Sequence, residues 1–477
     1  MDTLLTLTGA WLTLRQLLEA VWHSDWLTVA LKFFPFVLLC ELPVQLFVML
    51  GALRRYLEER HCARHPLHFS PKVSCVVTCY SEGVDVQKTI RSLTGQLYDG
   101  QIEILAIVDG AVQNRHTLVA LRALQNYVKA VPSRRLEIVP KLQRGGRVSS
   151  ARPWLRLETR PPRCRLEIVP KLQRGGRVSS LNQGLALASG AIVLALDGDT
   201  SFDNDMIRHA VRHFADPNVV AVAGNLRVRN VGRTFVTRLQ ALEYMLSIHL
   251  SRAGLDAFNV INNISGAFGI FRRDFLRRIG GWDSGTAEDL DLTLRIKKYF
   301  MRYPKLRIRF EPRAMGHTDA PESSWQFLKQ RLRWDGDLSY LYLRKYRHHL
   351  RPGLLGVRNF LALVWTGLLF QLAMPFVVVG YTSYVLLVYP AEVVLGVLAF
   401  VYLFYALLAA LMYVEYWLLY SERKRQDLRL AWVLLLFPAF TFVTRCWNAI
   451  ATLNELLTKS HLDSAMAPAW VLRRTKY

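Results

Sequence analysis

The chain has 477 residues, enough for more than one domain. It combines 52% hydrophobic residues with a net charge of +24, which arises from 61 Lys and Arg against 37 Asp and Glu. A basic excess can indicate nucleic-acid binding, but here the apolar residues form blocks long enough to cross a bilayer. The pattern therefore argues against nucleic acid as a partner and favours a membrane protein with basic cytoplasmic faces.

The N-terminal part, residues 1–55, is predicted to be a membrane segment. Residues 1–22 have the pattern of a weakly amphipathic helix, and nothing in them resembles a cleavable signal peptide. Phe33–Leu53 is the first stretch with the length of a membrane crossing. Arginines follow this stretch directly, so the positive-inside rule predicts that its C-terminal end faces the cytoplasm.

Residues 70–320 read as a cytoplasmic α/β domain with a mostly parallel sheet. Apolar strand-like runs alternate with helix-like segments, as parallel βαβ units require. Strands are predicted at Val73–Cys79, Ile102–Val108 and Ala191–Leu196. Glycine and aspartate residues cluster directly after these runs, where ligands bind in open α/β sheets.

This predicted domain contains a perfect internal duplication. Arg135–Ser150 and Arg165–Ser180 have the same sequence, RLEIVPKLQRGGRVSS. Two copies do not make an architectural repeat, which recurs several times, so residues 135–164 are interpreted as a duplicated insert. Only the second copy continues into LNQGLALASG, and we therefore assign function to Arg177 rather than Arg147. The linker between the copies is rich in Arg and Pro and predicts an exposed excursion.

The C-terminal part of the chain is predicted to return to the membrane. It divides into an interfacial helix region at 321–358, membrane segments at 359–456 and a cytoplasmic tail at 457–477. Crossings are predicted at Phe360–Tyr389 and Val393–Tyr420. Leu430–Val443 is short for a crossing, which favours an interfacial or re-entrant segment.

Acidic residues follow two of the predicted strands. Asp109 comes directly after one, where a carboxylate can accept hydrogen bonds from a base or a ribose; a strand-terminating turn is the alternative. Asp197 and Asp199 form an Asp-Gly-Asp turn after another strand. Carboxylates in such a turn can hold a hard divalent cation against a leaving diphosphate.

A third acidic motif lies in the sequence GTAEDLDLTLRI. Glu288 and Asp289 come at the start of a helix-like pattern, where acidic side chains interact favourably with the helix dipole. That effect alone could explain them. The functional interpretation is a general base that deprotonates an attacking sugar hydroxyl.

Two further motifs combine aromatic and basic residues. Gln330, Arg333 and Trp334 belong to QRLRW, in which arginine can bind phosphate with two hydrogen bonds and tryptophan can stack on a sugar ring. A basic amphipathic helix on a membrane surface would explain the same residues. Trp470 and Arg473 belong to WVLRR, for which an ordinary basic tail with an interfacial aromatic residue is the alternative.

The order of these motifs resembles that of the processive family 2 glycosyltransferases, the cellulose, hyaluronan, chitin-oligosaccharide and poly-N-acetylglucosamine synthases. The resemblance covers roughly residues 70–345 and the flanking membrane segments. It is carried by VVTCYSEG, AIVDG, GGRVSSLNQGLALASG, ALDGDTSFD, ISGAFGIFRR, AEDLDLTLRI and QRLRW. It implies a GT-A-like nucleotide-sugar-binding domain with α-helical transmembrane segments. One departure is Ala287, which stands where the family often has threonine.

The resemblance also implies roles for individual residues. Asp289 would be the catalytic base, with Glu288 beside it in the catalytic motif. The nucleotide sugar would be bound by Cys79, Tyr80, Glu82, Asp109, Arg177, Asp197, Asp199, Arg333 and Arg473. The acceptor would be bound by Gly266, Gln330, Trp334 and Trp470. Asp199 and Asp197 would hold Mg²⁺ or Mn²⁺.

Together these features predict a multi-pass protein of the cell membrane with a cytoplasmic catalytic domain. Its expected activity is that of an inverting hexosyltransferase, which polymerises a β-linked polysaccharide from a UDP-sugar and translocates the chain. UDP-N-acetylglucosamine is the first expected donor and UDP-glucose the second. The growing polysaccharide, membrane lipids and export or accessory proteins are the other expected partners. Three alternatives stay open: a non-processive transferase that glycosylates a polyprenyl phosphate or a lipid, a transporter, and a non-catalytic membrane scaffold.

Overall fold

The computed structural model describes residues 2–23, 35–62, 69–130, 133–139, 154–160, 164–283 and 286–462. The chain divides into two compact units. The helical unit comprises residues 1–64, 230–262 and 320–461, and the α/β unit comprises residues 65–229, 263–319 and 462–477. Residues 230–262 thus belong to the helical unit, although the sequence placed them inside the predicted domain 70–320.

The secondary structure of the described residues follows in chain order. The strands are Val73–Cys79 (β1), Ile102–Val108 (β2), Ser133–Val139 (β3), Trp154–Arg160 (β4), Cys164–Pro170 (β5), Ile192–Asp197 (β6), Ser201–Phe202 (β7), Val219–Val228 (β8), Phe268–Arg272 (β9) and Arg307–Thr318 (β10). The α-helices are Asp2–Trp22 (α1), Leu42–Cys62 (α2), Val86–Thr94 (α3), Arg115–Ala130 (α4), Gly176–Leu187 (α5), Met206–Val211 (α6), Phe235–Glu243 (α7), Ser251–Ala257 (α8), Arg273–Arg278 (α9), Glu288–Arg302 (α10), Ser324–Tyr340 (α11), Pro352–Leu355 (α12), Val357–Leu363 (α13), Met374–Val388 (α14), Ala391–Leu419 (α15), Lys424–Leu428 (α16) and Phe437–Thr458 (α17).

The α/β unit is built on an eight-stranded sheet of order β5-β2-β1-β6-β9-β8-β10-β7. Strand β1 pairs in parallel with β2 and β6, β2 pairs in parallel with β5, and β8 pairs in parallel with β10. Strand β9 is antiparallel to β6 and β8, and β7 is antiparallel to β10. Strands β3 and β4 form a separate antiparallel pair. The predicted mixed α/β architecture with a mostly parallel sheet is therefore present.

The central strands are buried along their whole length. Strands β1 and β2 have the predicted bounds, and every residue in both is buried. Continuous apolar runs of this kind are typical of parallel strands that are covered on both faces. Strand β6 begins at Ile192, one residue later than predicted, and continues to Asp197. Because β1, β2 and β6 run in parallel, their carboxyl ends lie at the same edge of the sheet.

The helical unit contains the apolar helices. Among the described residues, two helical stretches are long and apolar enough to cross a membrane, Val357–Val388 with a mean hydropathy of 2.0 and Ala391–Leu419 with 2.5. They coincide with the two C-terminal crossings predicted from the sequence. The predicted N-terminal crossing, Phe33–Leu53, begins outside the described residues.

Close packing between α2 and α8 explains why residues 230–262 belong to the helical unit. A β-carbon added to Gly51 would collide with the backbone carbonyl of Gly254, so the two helices approach each other at glycine. One turn away, the buried Arg55 guanidinium donates from Nε to Asp256 Oδ2 at 2.6 Å. Small residues and a buried ion pair of this kind fix the position of two helices against each other.

Candidate active site

Three of the predicted functional motifs lie at the carboxyl edge of the sheet in the α/β unit. Cys79 is the last residue of β1 and Asp197 is the last residue of β6, while Asp109 follows β2 directly. The strand register places Thr78 opposite Asp197 and Cys79 opposite Val108. Parallel pairing therefore brings the Asp109 and Asp197 motifs together, as expected for ligand-binding residues of an open α/β sheet.

Arg177 lies between the Asp197 motif and the Glu288-Asp289 motif. Its guanidinium donates from Nη1 to Asp197 Oδ1 and from Nε to Glu288 Oε1 at 2.7 Å. Nη2 donates to the Gly266 carbonyl at 2.5 Å, and Nη1 also contacts Thr78 Oγ1 at 3.0 Å. The side chain is 11% exposed, so these contacts form largely out of water. One arginine thus joins the predicted donor motif to the predicted catalytic motif.

Glu288 and Asp289 open helix α10 in different environments. Glu288 is 4% exposed, and burial raises the pKa of its carboxyl, which the Arg177 charge opposes and the Asp289 charge reinforces. Asp289 is half-buried, and its Oδ2 accepts a hydrogen bond from Gly266 N at 3.1 Å. A β-carbon on Gly266 would lie 3.1 Å from Glu288 Oε1, so a side chain at this position would crowd the Glu288 carboxylate. Asp289 is therefore the more accessible acid of the pair.

Asp109 holds the turn that precedes α5. Its Oδ1 accepts from Lys171 Nζ at 2.7 Å and from Gly175 N at 2.9 Å, and its Oδ2 accepts from Gly176 N at 2.8 Å. Gly176 has a φ of +77°, in the left-handed region that glycine favours. The sequence predicted that Asp109 contacts the nucleotide. In the structure its carboxylate organises the turn from which Arg177 extends.

The predicted nucleotide-binding residues after β1 differ in exposure. The Cys79 thiol is buried, and burial raises its pKa well above the usual value. The Tyr80 ring is 40% exposed, and the Arg174 guanidinium lies 4.4 Å from its centroid. Burial also raises the pKa of Glu82, and the Asp199 charge acts in the same direction. The Tyr80 ring is thus the aromatic surface that this turn offers to a ligand.

The Asp-Gly-Asp turn leaves one carboxylate accessible. Asp199 is exposed, whereas Asp197 is paired with Arg177. In the part of the chain that the structure describes, no three His, Cys, Asp or Glu side chains converge to hold a metal by themselves. Mg²⁺ is usually bound by one or two carboxylates together with substrate phosphates. Glu82 Oε2, a buried acceptor without a hydrogen-bond partner among the described residues, adds an oxygen beside Asp199, so the residues fit a cation that is bound jointly with a diphosphate.

The QRLRW motif lies on α11 in the helical unit. Arg331 forms an ion pair with Glu243, and its guanidinium lies 5.1 Å from the Trp334 ring centroid. Gln330 Oε1 is a buried acceptor without a hydrogen-bond partner within the described ranges, and Arg333 is exposed. Arg331 thus links α11 to Glu243 and packs near the indole ring of Trp334.

The remaining predicted site residues, Trp470 and Arg473, lie outside the described residues, and their roles stay predictions. Arg147, to which the sequence assigned no function, also lies outside them. The sequence in turn gave no role to Thr78, Lys171 and Arg174, which all contact predicted site residues. The sequence could have predicted a site role for Lys171, since this residue comes directly after β5 at the same edge of the sheet.

Comparison with solved structures finds the mannosyltransferase PcManGT from Pyrobaculum calidifontis in complex with GDP-Man and Mn²⁺. The alignment covers 87% of this chain and 99% of that chain, with a TM-score of 0.48 and 17% sequence identity.

Comparison with known sequences finds poly-beta-1,6-N-acetyl-D-glucosamine synthases. The protein of Staphylococcus aureus strain COL is 24% identical over 313 residues, which cover 64% of this chain and 65% of that protein. The protein of Staphylococcus epidermidis is 27% identical over 263 residues, which cover 55% of this chain and 53% of that protein. This chain therefore spans less than two thirds of the length of these relatives.

The family comparison covers just over half of the chain. Residues 192–444 match the sequence model of glycosyl transferase family group 2. The matched range includes three of the motifs described above, the Asp197-Gly198-Asp199 turn, the Glu288-Asp289 pair and QRLRW. The chain belongs to glycosyl transferase family group 2 and is a glycosyltransferase, distantly related to the poly-beta-1,6-N-acetyl-D-glucosamine synthases.

Proposed function

We propose that this glycosyltransferase transfers a sugar from a UDP-sugar to a growing β-linked polysaccharide, with inversion at the transferred carbon. The observation that carries the proposal is the position of Arg177, which contacts Asp197 of the donor motif and Glu288 of the catalytic motif with one guanidinium. The likeness to poly-beta-1,6-N-acetyl-D-glucosamine synthases supports UDP-N-acetylglucosamine as the donor.

The donor would bind at the carboxyl edge of the sheet. Tyr80 offers an exposed ring on which a base can stack. Asp199 and Asp197 would hold Mg²⁺ or Mn²⁺, with Glu82 beside them. The cation, when bound, neutralises negative charge on the leaving diphosphate. Arg177 adds a fixed positive charge in a site where little solvent screens it, and such preorganised charge accounts for much of enzymatic rate enhancement.

Asp289 would act as the general base. It is more exposed than Glu288, and Gly266 N and the α10 backbone orient its carboxylate. In a single displacement, the acceptor oxygen bonds to the anomeric carbon while the bond from that carbon to the diphosphate oxygen breaks. The acceptor proton passes to Asp289, and UDP leaves with the bonding electrons. Glu288 would act differently, because its carboxylate is buried against Arg177.

The acceptor and membrane parts of the proposal rest on the helical unit. Gln330 and Trp334 on α11 and Trp470 would bind the acceptor sugar, and Arg333 and Arg473 would bind the nucleotide sugar. The two candidate spans support a multi-pass protein of the cell membrane with its α/β unit in the cytoplasm. A polysaccharide cannot cross hydrocarbon unaided, because its hydroxyl groups would lose their hydrogen-bond partners. Coupled translocation of the product therefore belongs to the proposal.

The test is sugar incorporation from radiolabelled UDP-sugars by the full chain in isolated membranes, with UDP release measured in parallel. We expect incorporation from UDP-N-acetylglucosamine in the wild type. Asp289→Asn should retain UDP binding and lose transfer by at least about 100-fold, the usual contribution of a general base. Asp274→Asn is the matched control, because its side chain is 75% exposed on α9. Transfer by Asp289→Asn near the wild-type rate would show that Asp289 is not the base.

A further inference from the structure

Each hydrogen bond of the Arg177 guanidinium goes to a residue of the proposed site. The group has five N–H donors. They serve the Asp197 and Glu288 carboxylates, the Gly266 carbonyl and the Thr78 hydroxyl. The side chain is therefore a bound cation between two acidic motifs.

Arg177 is bound to Asp197, one of the two carboxylates that would hold Mg²⁺ or Mn²⁺ in the proposed function. Asp197 Oδ1 accepts from Arg177 and from the Thr78 hydroxyl, while Asp199 is left exposed. A divalent cation at Asp197 would meet the guanidinium charge at contact distance in a site with little water, and the repulsion between them would be strong. Arg177 contacts Oδ1 of Asp197, so the arginine and the metal would compete for the charge of this carboxylate.

Arg177 can lose its contact with Asp197 while it keeps its contacts with Glu288 and Gly266. Nε is bound to Glu288 and Nη2 to the Gly266 carbonyl, whereas Asp197 is contacted through Nη1. Glu288 is buried and its carboxylate has no other described cation partner than Arg177. Loss of the contact to Asp197 thus leaves the side chain anchored beside the donor site.

We infer that Arg177 is an internal placeholder for the divalent cation: it neutralises Asp197 when the donor site is empty and gives it up when the metal binds with the nucleotide. Glu288 is then a positioning residue that keeps the released arginine beside the diphosphate. The inference rests on the proposed function, since it assumes that Asp197 and Asp199 form the metal site. Its consequence is that metal binding without nucleotide is held weak, because the metal must first displace the arginine.

The experiment measures Mn²⁺ affinity without nucleotide on the purified full chain in detergent, by the electron paramagnetic resonance signal of free Mn²⁺. Arg177→Gln should bind Mn²⁺ more tightly than the wild type, on the order of tenfold, which corresponds to about 1.4 kcal/mol. Arg147→Gln makes the same change in the identical sequence of the first copy and should leave the affinity unchanged. Arg177→Met fills a similar volume and gives a second measurement if the glutamine variant does not fold.

Two outcomes would overturn the inference. One leaves the proposed metal site intact, and the other shows that this site is wrong as well. If Arg177→Gln and Arg177→Met bind Mn²⁺ no more tightly than the wild type while Asp199→Ala loses binding, the metal site stands and the placeholder role is wrong. If Asp199→Ala binds Mn²⁺ as the wild type does, the metal site of the proposed function is itself wrong. Tighter binding in the Arg177 variants together with loss in Asp199→Ala supports both.

Discussion

The two copies of RLEIVPKLQRGGRVSS have identical sequences and different structures. In the second copy, β5 pairs in parallel with β2, with Arg165 opposite Glu103, and the chain continues through α5. In the first copy, β3 pairs with β4 in a separate antiparallel pair, with Arg135 opposite Glu158. Strand propensity is the same in both copies, so it cannot decide which copy enters the large sheet.

The residues that flank the copies make the difference. The second copy is followed by LNQGLALASG, which continues α5 and leads to β6, whereas the first copy is followed by ARPWLRLETRPPRC. The strands also begin differently, because Cys164 opens β5 opposite Ile102 while Arg134 precedes the first copy. Burial raises the pKa of the Cys164 thiol to about 12. A small thiol suits such a position better than an arginine, which is rarely buried without a partner.

The largest effect that should separate the two copies is expected at Lys171. Its side chain is 11% exposed and its ammonium is the cation that holds the buried Asp109. Lys171→Met should lower the free energy of unfolding by about 3 kcal/mol, because the buried Asp109 charge would lose its cation and keep only backbone N–H partners. Lys141→Met makes the same change in the first copy and should leave stability unchanged. Thermal unfolding of both full-length variants in detergent makes the comparison, and equal shifts would mean that the copies are not structurally distinct.

A smaller effect is expected from exchanging the residues that precede the copies. Cys164→Arg places the same residue before both copies and forces a long charged side chain into the start of β5. It should lower the free energy of unfolding by about 1 kcal/mol, since Cys164 is half-buried on an edge strand and a larger side chain there is only partly crowded. Arg134→Cys makes the reverse change before the first copy and should have no effect. A stability of Cys164→Arg equal to that of the wild type would show that Cys164 does not favour the second copy.

The sequence was sufficient to predict the fold class and the edge of the sheet at which the candidate site residues lie. Strands β1 and β2 were predictable to the residue, since a continuous apolar run with a turn after it has few other interpretations. The position of Asp109 and Asp197 at the same edge of the sheet followed from parallel pairing alone. The duplication, although unusual, could be assigned from the continuity of its second copy with the following helix.

The partners of individual side chains could not be predicted. Arg177 and Glu288 are separated by 111 positions, and no local pattern reveals which of two carboxylates faces the arginine. The contacts of Asp109 with Lys171 and with two backbone N–H groups were not predicted, while its predicted contact with the nucleotide stays a prediction. Residues 230–262 were assigned to the α/β domain, because their packing against α2 depends on glycines and an ion pair far apart in sequence.

We expect the second copy alone to supply the edge strand and the arginine of a UDP-sugar-dependent donor site. The most direct test is UDP release from UDP-N-acetylglucosamine by a full chain that lacks residues 134–163, in which Ser133 is joined to Cys164. This deletion removes the first copy and keeps β5 and Arg177. We expect UDP release within about twofold of the wild type, because shortening a connection changes its closure entropy only slightly. A folded deletion chain that binds Mn²⁺ but releases no UDP would contradict the claim.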